Sequence, residues 1–179
     1  MPKSANAGYN TDMNEEKEIV RNEFPPIYDE CSKVLILGSL PSVASRSEGF
    51  YYMNPRNRFW QVISALFGED LTSMTIPEKR EALLRHRVAL SDVILSCEIH
   101  RSSDASIGKV EYTDVAEIFS HSAVERILLN GQKAYDLFSR RYPEYASIAT
   151  RLPSTSPANA RSSLDDLIKE WGDLLLPIL

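Results

Sequence analysis

Lys33-Val34-Leu35-Ile36-Leu37-Gly38-Ser39-Leu40-Pro41-Ser42 is the stretch on which the reading of this chain turns. Its first five residues form a short aliphatic and β-branched run without a polar break. Such a run suits a strand buried on both faces. Gly38 and Pro41 then stop it in a tight loop, because Gly permits unusual backbone angles and Pro fixes φ. Polar and aromatic residues follow: Ser45, Arg46, Ser47, then Phe50 to Arg58. Phe59, Val62, Ile63, Leu66 and Phe67 next recur at helical spacing. In an open α/β sheet, ligands bind outside the carboxyl ends of the strands, which is where this loop falls. It concentrates Tyr51, Tyr52, Asn54 and Asn57, more chemistry than a connector needs.

Outward from that stretch the pattern alternates. Glu15 to Arg21 is read as a short helix ended by Pro25-Pro26. After the Phe59–Phe67 helix, Thr75-Ile76-Pro77-Glu78 gives a helix start, with Thr75 as N-cap and Pro77 in the first turn. Val88 to Leu95 is a second strand, and Cys97 to Lys109 a polar loop. Thr113-Asp114 caps a helix to about His121, and Arg126 to Leu129 is a third strand. Gly131 opens a helix with Ala134, Leu137 and Phe138. Ser147 to Leu152 is a fourth strand with Pro153 to Asn159 as its loop, and Ser162 or Ser163 caps an amphipathic last helix. Strands alternating with helices predict an α/β fold, a single three-layer domain. Its centre is a mostly parallel four-stranded sheet with helices on both faces. Met1 to Asn14 is expected to be a disordered tail, with one domain over residues 15–179.

The chain has 179 residues, 43% of them hydrophobic, enough for one sizeable core. No apolar run suffices to span a bilayer, and the polar first fourteen residues lack a secretory-signal pattern. Cys31 and Cys97 are the two cysteines, too few for a disulfide or metal framework. His86, His100 and His121 show no ligand spacing, so no metal or cofactor is expected. A net charge of −5 argues at first against a nucleic-acid partner. Its distribution softens that. Acids crowd the segment from Glu15 to Glu30 and the last helix. Residues 39–60 carry Arg46, Arg56 and Arg58 against Glu48, and residues 151–161 carry Arg151 and Arg161 with no acid. Phosphate contacts need a local basic patch only; ordinary solvated surface is the other reading of these arginines.

These motifs resemble the uracil-DNA glycosylase superfamily. Gly38-Ser39-Leu40-Pro41 matches its first loop, with Leu40 where relatives place a water-directing Asp or Asn. Tyr51 to Trp60 and Leu152 to Asn159 match the hypoxanthine-DNA glycosylase branch in particular. The Asn57-Arg58-Phe59-Trp60 segment is also similar to the mismatch-specific uracil branch. Members flip a damaged nucleotide from the stack and hydrolyse its N-glycosidic bond. Some branches hold an iron–sulfur cluster on more cysteines than this chain has. The resemblance implies a cofactor-free, monomeric, cytoplasmic enzyme at the nucleoid whose partner is DNA containing deaminated bases. The rivals are a mismatch-specific uracil or thymine glycosylase and an inactive nucleic-acid-binding module.

The resemblance also assigns residues. Tyr52 stands at the family's spacing from Leu40 and is the candidate stacking platform, a contact worth roughly 1–3 kcal/mol. The plain alternative is a tyrosine bridging core and surface. Asn57 is the candidate catalytic residue. Its oxygen could orient water and its NH₂ could donate to the leaving base; equally, it could cap the following helix. Asp92 is the candidate base-edge reader, as an ionised carboxylate that only accepts, or else a turn residue. Gly38, Ser39 and Leu40 complete the base pocket. Ser42, Arg56, Ser154, Thr155, Ser156, Asn159 and Arg161 are the candidate DNA contacts, with Arg161 entering the gap left by the flipped base. The competing reading of the Ser154–Asn159 loop is a cap for the last helix. No lysine occupies a motif position, so Schiff-base lyase chemistry is not expected.

Overall fold

The structure is a computed structural model and describes residues 17–100 and 107–179. The expected tail lies outside those residues. The chain order is β1 (Lys17–Arg21), β2 (Val34–Gly38), α1 (Val43–Glu48), α2 (Phe59–Phe67), α3 (Ile76–Arg85), β3 (Val88–Asp92) and β4 (Ile94–His100). It continues with β5 (Ile107–Tyr112), α4 (Val115–Ser120), β6 (Arg126–Asn130), α5 (Gln132–Arg141), a 3-10 turn (Pro143–Ile148), β7 (Ala149–Leu152) and α6 (Leu164–Leu175).

The four strands β3-β2-β6-β7 form the central sheet in that spatial order, all parallel. The continuous apolar run of β2 has a simple cause: both of its faces are covered. Val34 and Ile36 enter one core with α2, α3 and α6, through Phe59, Ile63, Leu83 and Trp171. Leu35 and Leu37 enter a second core with α4 and α5, through Ile118, Ala134 and Phe138. Burying a large apolar side chain of this kind contributes about 1.5–3 kcal/mol.

The caps agree with the local sequence. Thr75 accepts from the Glu78 N–H in a capping box, Asp114 caps α4, and Ser163 caps α6.

Three expectations need correcting. The predicted helix over Glu15–Arg21 is the strand β1 across Lys17–Arg21. It pairs antiparallel with β4 in a separate sheet, β1-β4-β5. The predicted second strand breaks at Val93. There the Val93 and Ile94 N–H groups donate to the Gly38 and Ser39 carbonyls at 2.8 and 3.0 Å, and the chain leaves the parallel sheet. The predicted polar loop, Cys97 to Lys109, is strand in its described residues: Cys97 to His100 belong to β4 and Ile107 to Lys109 to β5, and 101–106 lie outside the described residues. This small sheet covers the second core with Val20, Ile94 and Cys97. Helix α1 was not foreseen. Among the described residues no helix is long and apolar enough to cross a membrane.

Strand β2 runs first to β3 on one side, and the chain later returns to β6 on the other. The crevice at such a reversal is where open α/β sheets hold ligands.

Candidate functional site

A cavity of about 360 Å³ opens at that crevice. This is within the ordinary range for small-molecule sites. Four strand ends feed it: Gly38 from β2, Asp92 from β3, Asn130 from β6 and Ser154 beyond β7. Two indoles fasten its loops to the core. Trp60 Nε1 donates to the Tyr51 carbonyl and Trp171 Nε1 to the Pro153 carbonyl, each at 3.0 Å.

Gly38 is fixed by crowding. A Cβ there would lie 2.3 Å from Asp92 Oδ1 and 2.8 Å from the Tyr52 hydroxyl. No other residue lets these two groups approach the strand end. Tyr52 stacks on Phe59 with ring centroids 4.0 Å apart and planes 19° from parallel, and it also lines the cavity. Its φ of 57° is in the left-handed region, costly for an aromatic residue. The Phe59 stack and the Trp60 bond hold it there. The Tyr52 hydroxyl is buried without a hydrogen-bond partner; the Asn130 amide lies near it without completing a bond. Burial raises its pKa, as it does that of buried Tyr51 beside it.

Asp92 is 3% exposed and its Oδ2 accepts from Asn22 Nδ2 at 3.3 Å. Desolvation raises its pKa from 3.8 to about 7. The expected ionised carboxylate is therefore joined by the neutral acid. Near neutrality the neutral acid is well populated, with a donor as well as an acceptor.

Asn57 bonds the start of α2 and also lines the cavity. Its Oδ1 accepts from the Phe59 N–H at 3.0 Å, which satisfies a first-turn donor of α2. That bond turns the NH₂ of the amide outward, and Asn57 lines the cavity. Ser39, Leu40 and Pro41 complete this wall. Leu40 is half-buried against the second core, so an apolar group occupies the position in question. Ser42 is exposed, caps α1 by accepting from the Ser45 N–H at 3.1 Å, and lines the mouth.

The opposite wall is the Pro153–Ser162 loop, which is bound to itself. Ser154 Oγ accepts from the Ser156 N–H at 3.2 Å, and Ser156 Oγ from the Ala158 N–H at 3.2 Å. Ser154 and Ser156 line the cavity. Two expected DNA contacts are bonded within the protein. Thr155 is fully buried; its N–H donates to Asn130 Oδ1 at 3.0 Å and its Oγ1 accepts from Asn130 Nδ2 at 2.9 Å. Asn159 spends its NH₂ on the Ser154 carbonyl and Ser162 Oγ, and its oxygen on the Arg161 N–H. Thr155 is thus closed off from solvent, while Asn159 is half-exposed with its amide groups bonded inside the loop. Arg56 and Arg161 are exposed and do not line the cavity.

Three contributors escaped sequence reasoning. Arg58 donates to the carbonyls of Ser156, Asn159 and Ser162, and its N–H to Thr155, so it clamps the second loop to the first. Asn130, at the end of β6, ties that strand to Thr155 and lines the cavity; an Asn ending an otherwise apolar strand was the available signal. Asn22, on the segment after β1, carried no signal.

The family model described as the uracil DNA glycosylase superfamily matches residues 25–175. A Methanosarcina acetivorans protein named hypoxanthine DNA glycosylase is 34% identical over 148 residues, 81% of this chain and 92% of its own length. A Methanosarcina barkeri protein of the same name is 36% identical over 143 residues, 78% of this chain and 88% of its own. A solution NMR structure of a Methanosarcina acetivorans protein, assigned provisionally as a uracil DNA glycosylase, superimposes with a TM-score of 0.78. It is 33% identical, and the match covers 90% of this chain and 99% of that one.

Proposed function

The chain belongs to the uracil DNA glycosylase superfamily, and we propose that it hydrolyses the N-glycosidic bond of deaminated bases in DNA, hypoxanthine first, leaving an abasic site. One observation carries the reading. The cavity joins a stacked aromatic ring, a buried carboxyl and an amide with an unspent NH₂ at the carboxyl ends of the parallel strands.

On this reading the target nucleotide leaves the stack and its base enters the cavity. Tyr52, backed by Phe59, supplies the flat contact. Asp92 in its neutral form accepts from the ring N–H and donates to the neighbouring carbonyl of the base. Hypoxanthine, xanthine and uracil share that edge. The C1′–N bond breaks with its electron pair going to the base, and the sugar gains oxocarbenium character. Asn57 Nδ2 donates to the departing base and stabilises its charge. A neutral Asp92 helps here, since a carboxylate beside a departing anion would oppose it. Water then adds to C1′ and loses its proton to solvent. Leu40 cannot activate that water, so leaving-group stabilisation and placement bear the rate.

Ser42, Arg56, Ser154, Ser156 and Arg161 ring the mouth or the outer loop and meet the DNA backbone. The partner is DNA, a single copy supplies the whole cavity, and the enzyme works in the cytoplasm at the nucleoid. The test uses duplexes with one hypoxanthine, xanthine or uracil, followed by alkaline cleavage of abasic sites. Strand breaks at hypoxanthine are expected. Tight binding without breaks at any base would instead leave a binding module.

A further inference from the structure

Asn22 lies outside the stretch that the family model matches. It is 6% exposed. Its Oδ1 accepts from the Phe24 N–H at 3.1 Å, and its own N–H donates to the Leu95 carbonyl at 2.7 Å. Those bonds fix the residue and decide how its amide faces. With the oxygen taken, Nδ2 points to Asp92 and donates to Oδ2 at 3.3 Å. The other carboxyl oxygen, Oδ1, is the one against Gly38 at the cavity wall. The two oxygens of Asp92 are therefore not equivalent.

That inequality has a consequence for recognition. A neutral carboxylic acid has one donor and one acceptor, and it exchanges them by moving its proton. If the exchange is free, it pairs equally well with two opposite edges. One is the lactam edge of a deaminated base, a carbonyl beside a ring N–H. The other is the amidine edge of adenine, an amino group beside a bare ring nitrogen. A donor held on Oδ2 removes the freedom: Oδ2 stays an acceptor and the proton stays on Oδ1.

We infer that Asn22 is a positioning residue that fixes the donor–acceptor polarity of Asp92 and so makes the cavity select the lactam edge of a deaminated base over the amidine edge of adenine. The inference rests on the proposed reading of Asp92 as the base-edge contact. Asn22 itself does not titrate. The groups that face the Asp92 carboxyl are the Tyr51 and Tyr52 hydroxyls, and Arg46 lines the same cavity. Both tyrosines stay protonated well beyond neutrality, because burial raises them. Discrimination among edges is a difference of affinities, and an unmatched buried group is the cheapest way to build one.

Substitutions of Asn22 test it. Asn22→Ala removes the donor. Asn22→Asp keeps the acceptor for the Phe24 N–H and replaces the donor by a second carboxyl, so it reads the selectivity if Asn22→Ala melts. A like charge beside Asp92 raises its midpoint by itself, so the midpoint is read in the uncharged Asn22→Ala or Asn22→Leu. In each, the ratio of hypoxanthine to adenine release in single-turnover assays should fall about tenfold, the scale of one lost hydrogen bond. The midpoint of Asp92 titration should also move up, because a donor to the carboxylate favours its charged form. Carboxyl ¹³C titration of Asp92 in the folded variants reads that shift without any turnover. A residue that only props the fold would scale the rate and leave the midpoint in place. A folded Asn22→Asp protein with the parental ratio overturns the selectivity, and a folded Asn22→Ala or Asn22→Leu protein with the parental midpoint overturns the coupling. A parent that releases no hypoxanthine, while Asp92 still titrates higher in Asn22→Ala or Asn22→Leu, overturns the glycosylase reading and leaves the coupling standing.

Discussion

The two walls of the cavity are built on opposite plans. On the first, from Gly38 to Asn57 with Asp92 behind it, polar groups are buried and left incompletely satisfied. The Tyr52 hydroxyl has no partner, the Asp92 carboxyl is held by one long hydrogen bond, and the Asn57 amide keeps its NH₂ unspent. On the second, from Pro153 to Ser162, Ser154, Thr155, Ser156 and Asn159 all bond within the loop or to Asn130. Buried groups without partners cost stability and persist where a ligand completes them. A loop that satisfies itself offers shape. On the proposed reading, the first wall carries the chemistry and the second holds the opened strand.

The sharpest way to break that assignment is at Asn57. Asn57→Ala should lower single-turnover excision by about 10²–10³. It also removes the acceptor for the Phe59 N–H, which should cost about 0.5–2 kcal/mol of stability. Asn57→Asp keeps that acceptor and loses the donor, so it should melt near the parent and still be slow. If the Asp variant is as fast as the parent, the amide is a helix cap and the chemistry lies elsewhere. Gly38→Ala comes next. Its Cβ would overlap Asp92 Oδ1 and the Tyr52 hydroxyl, so both must shift. Misplacing reacting groups by that much should cost about a hundredfold in rate. A fast Gly38→Ala enzyme would mean that the close approach of Asp92 and Tyr52 to the strand end is dispensable.

The first wall should also show in pH dependence. On the proposed mechanism Asp92 works in its neutral form, and burial raises its pKa to about 7. Excision should therefore fall about tenfold per pH unit above that point, and Asp92→Asn should flatten the fall. Stability follows with the same sign. The folded protein holds this proton more tightly than the unfolded chain, for which 3.8 applies. The carboxyl's contribution is therefore complete below pH 3.8 and is lost as pH rises to about 7. The loss is on the order of 1 kcal/mol per pH unit. Melting of Asp92→Asn should gain on the parent across that window. Excision that instead rises through neutrality would make the ionised carboxylate the reader.

How legible each wall was in the sequence follows from how it is made. The parallel strands were plain because Val34 to Leu37 face cores on both sides, which forces an unbroken apolar run. β1 was not. Val20 is 2% exposed and Ile19 65%, and a single covered side chain in so short a strand leaves no clear period of two. The motif residues of the first wall were placed by resemblance. The neutral state of Asp92 was hidden, since it depends on a burial that only the folded Gly38 backbone creates. The role of Arg58 was hidden for another reason: its partners are about a hundred residues further along, at separations of 98, 101 and 104. No local pattern encodes such a clamp.

Arg58 is also the hinge between the two plans. Arg58→Ala should cost about 3 kcal/mol, because three carbonyls lose a charged donor. It should slow excision about tenfold by loosening the second wall. Arg58→Lys should recover little, since an ammonium cannot spread three directed bonds over the positions of a guanidinium. Tight melting with slow excision in the Lys variant would sharpen the comparison, by showing that the shape of the second loop matters apart from stability.

The smallest effect is expected at Arg161. Its N–H donates to Asn159 Oδ1 at 3.3 Å, which fixes the backbone, while the side chain is exposed beyond the cavity. An exposed cation of that kind meets DNA only when the duplex lies across the mouth. If it enters the gap left by the flipped nucleotide, it has work to do only where a stack must be opened. Arg161→Ala should then slow excision from paired DNA about threefold, the scale of one exposed contact, and leave single strands almost untouched. If it binds a phosphate as well, the slope of log affinity against log salt should shrink by about one. The two readouts separate the roles. A changed slope with equal slowing on both substrates would make Arg161 a backbone contact alone. The second wall would then hold DNA by charge rather than by filling the opened stack.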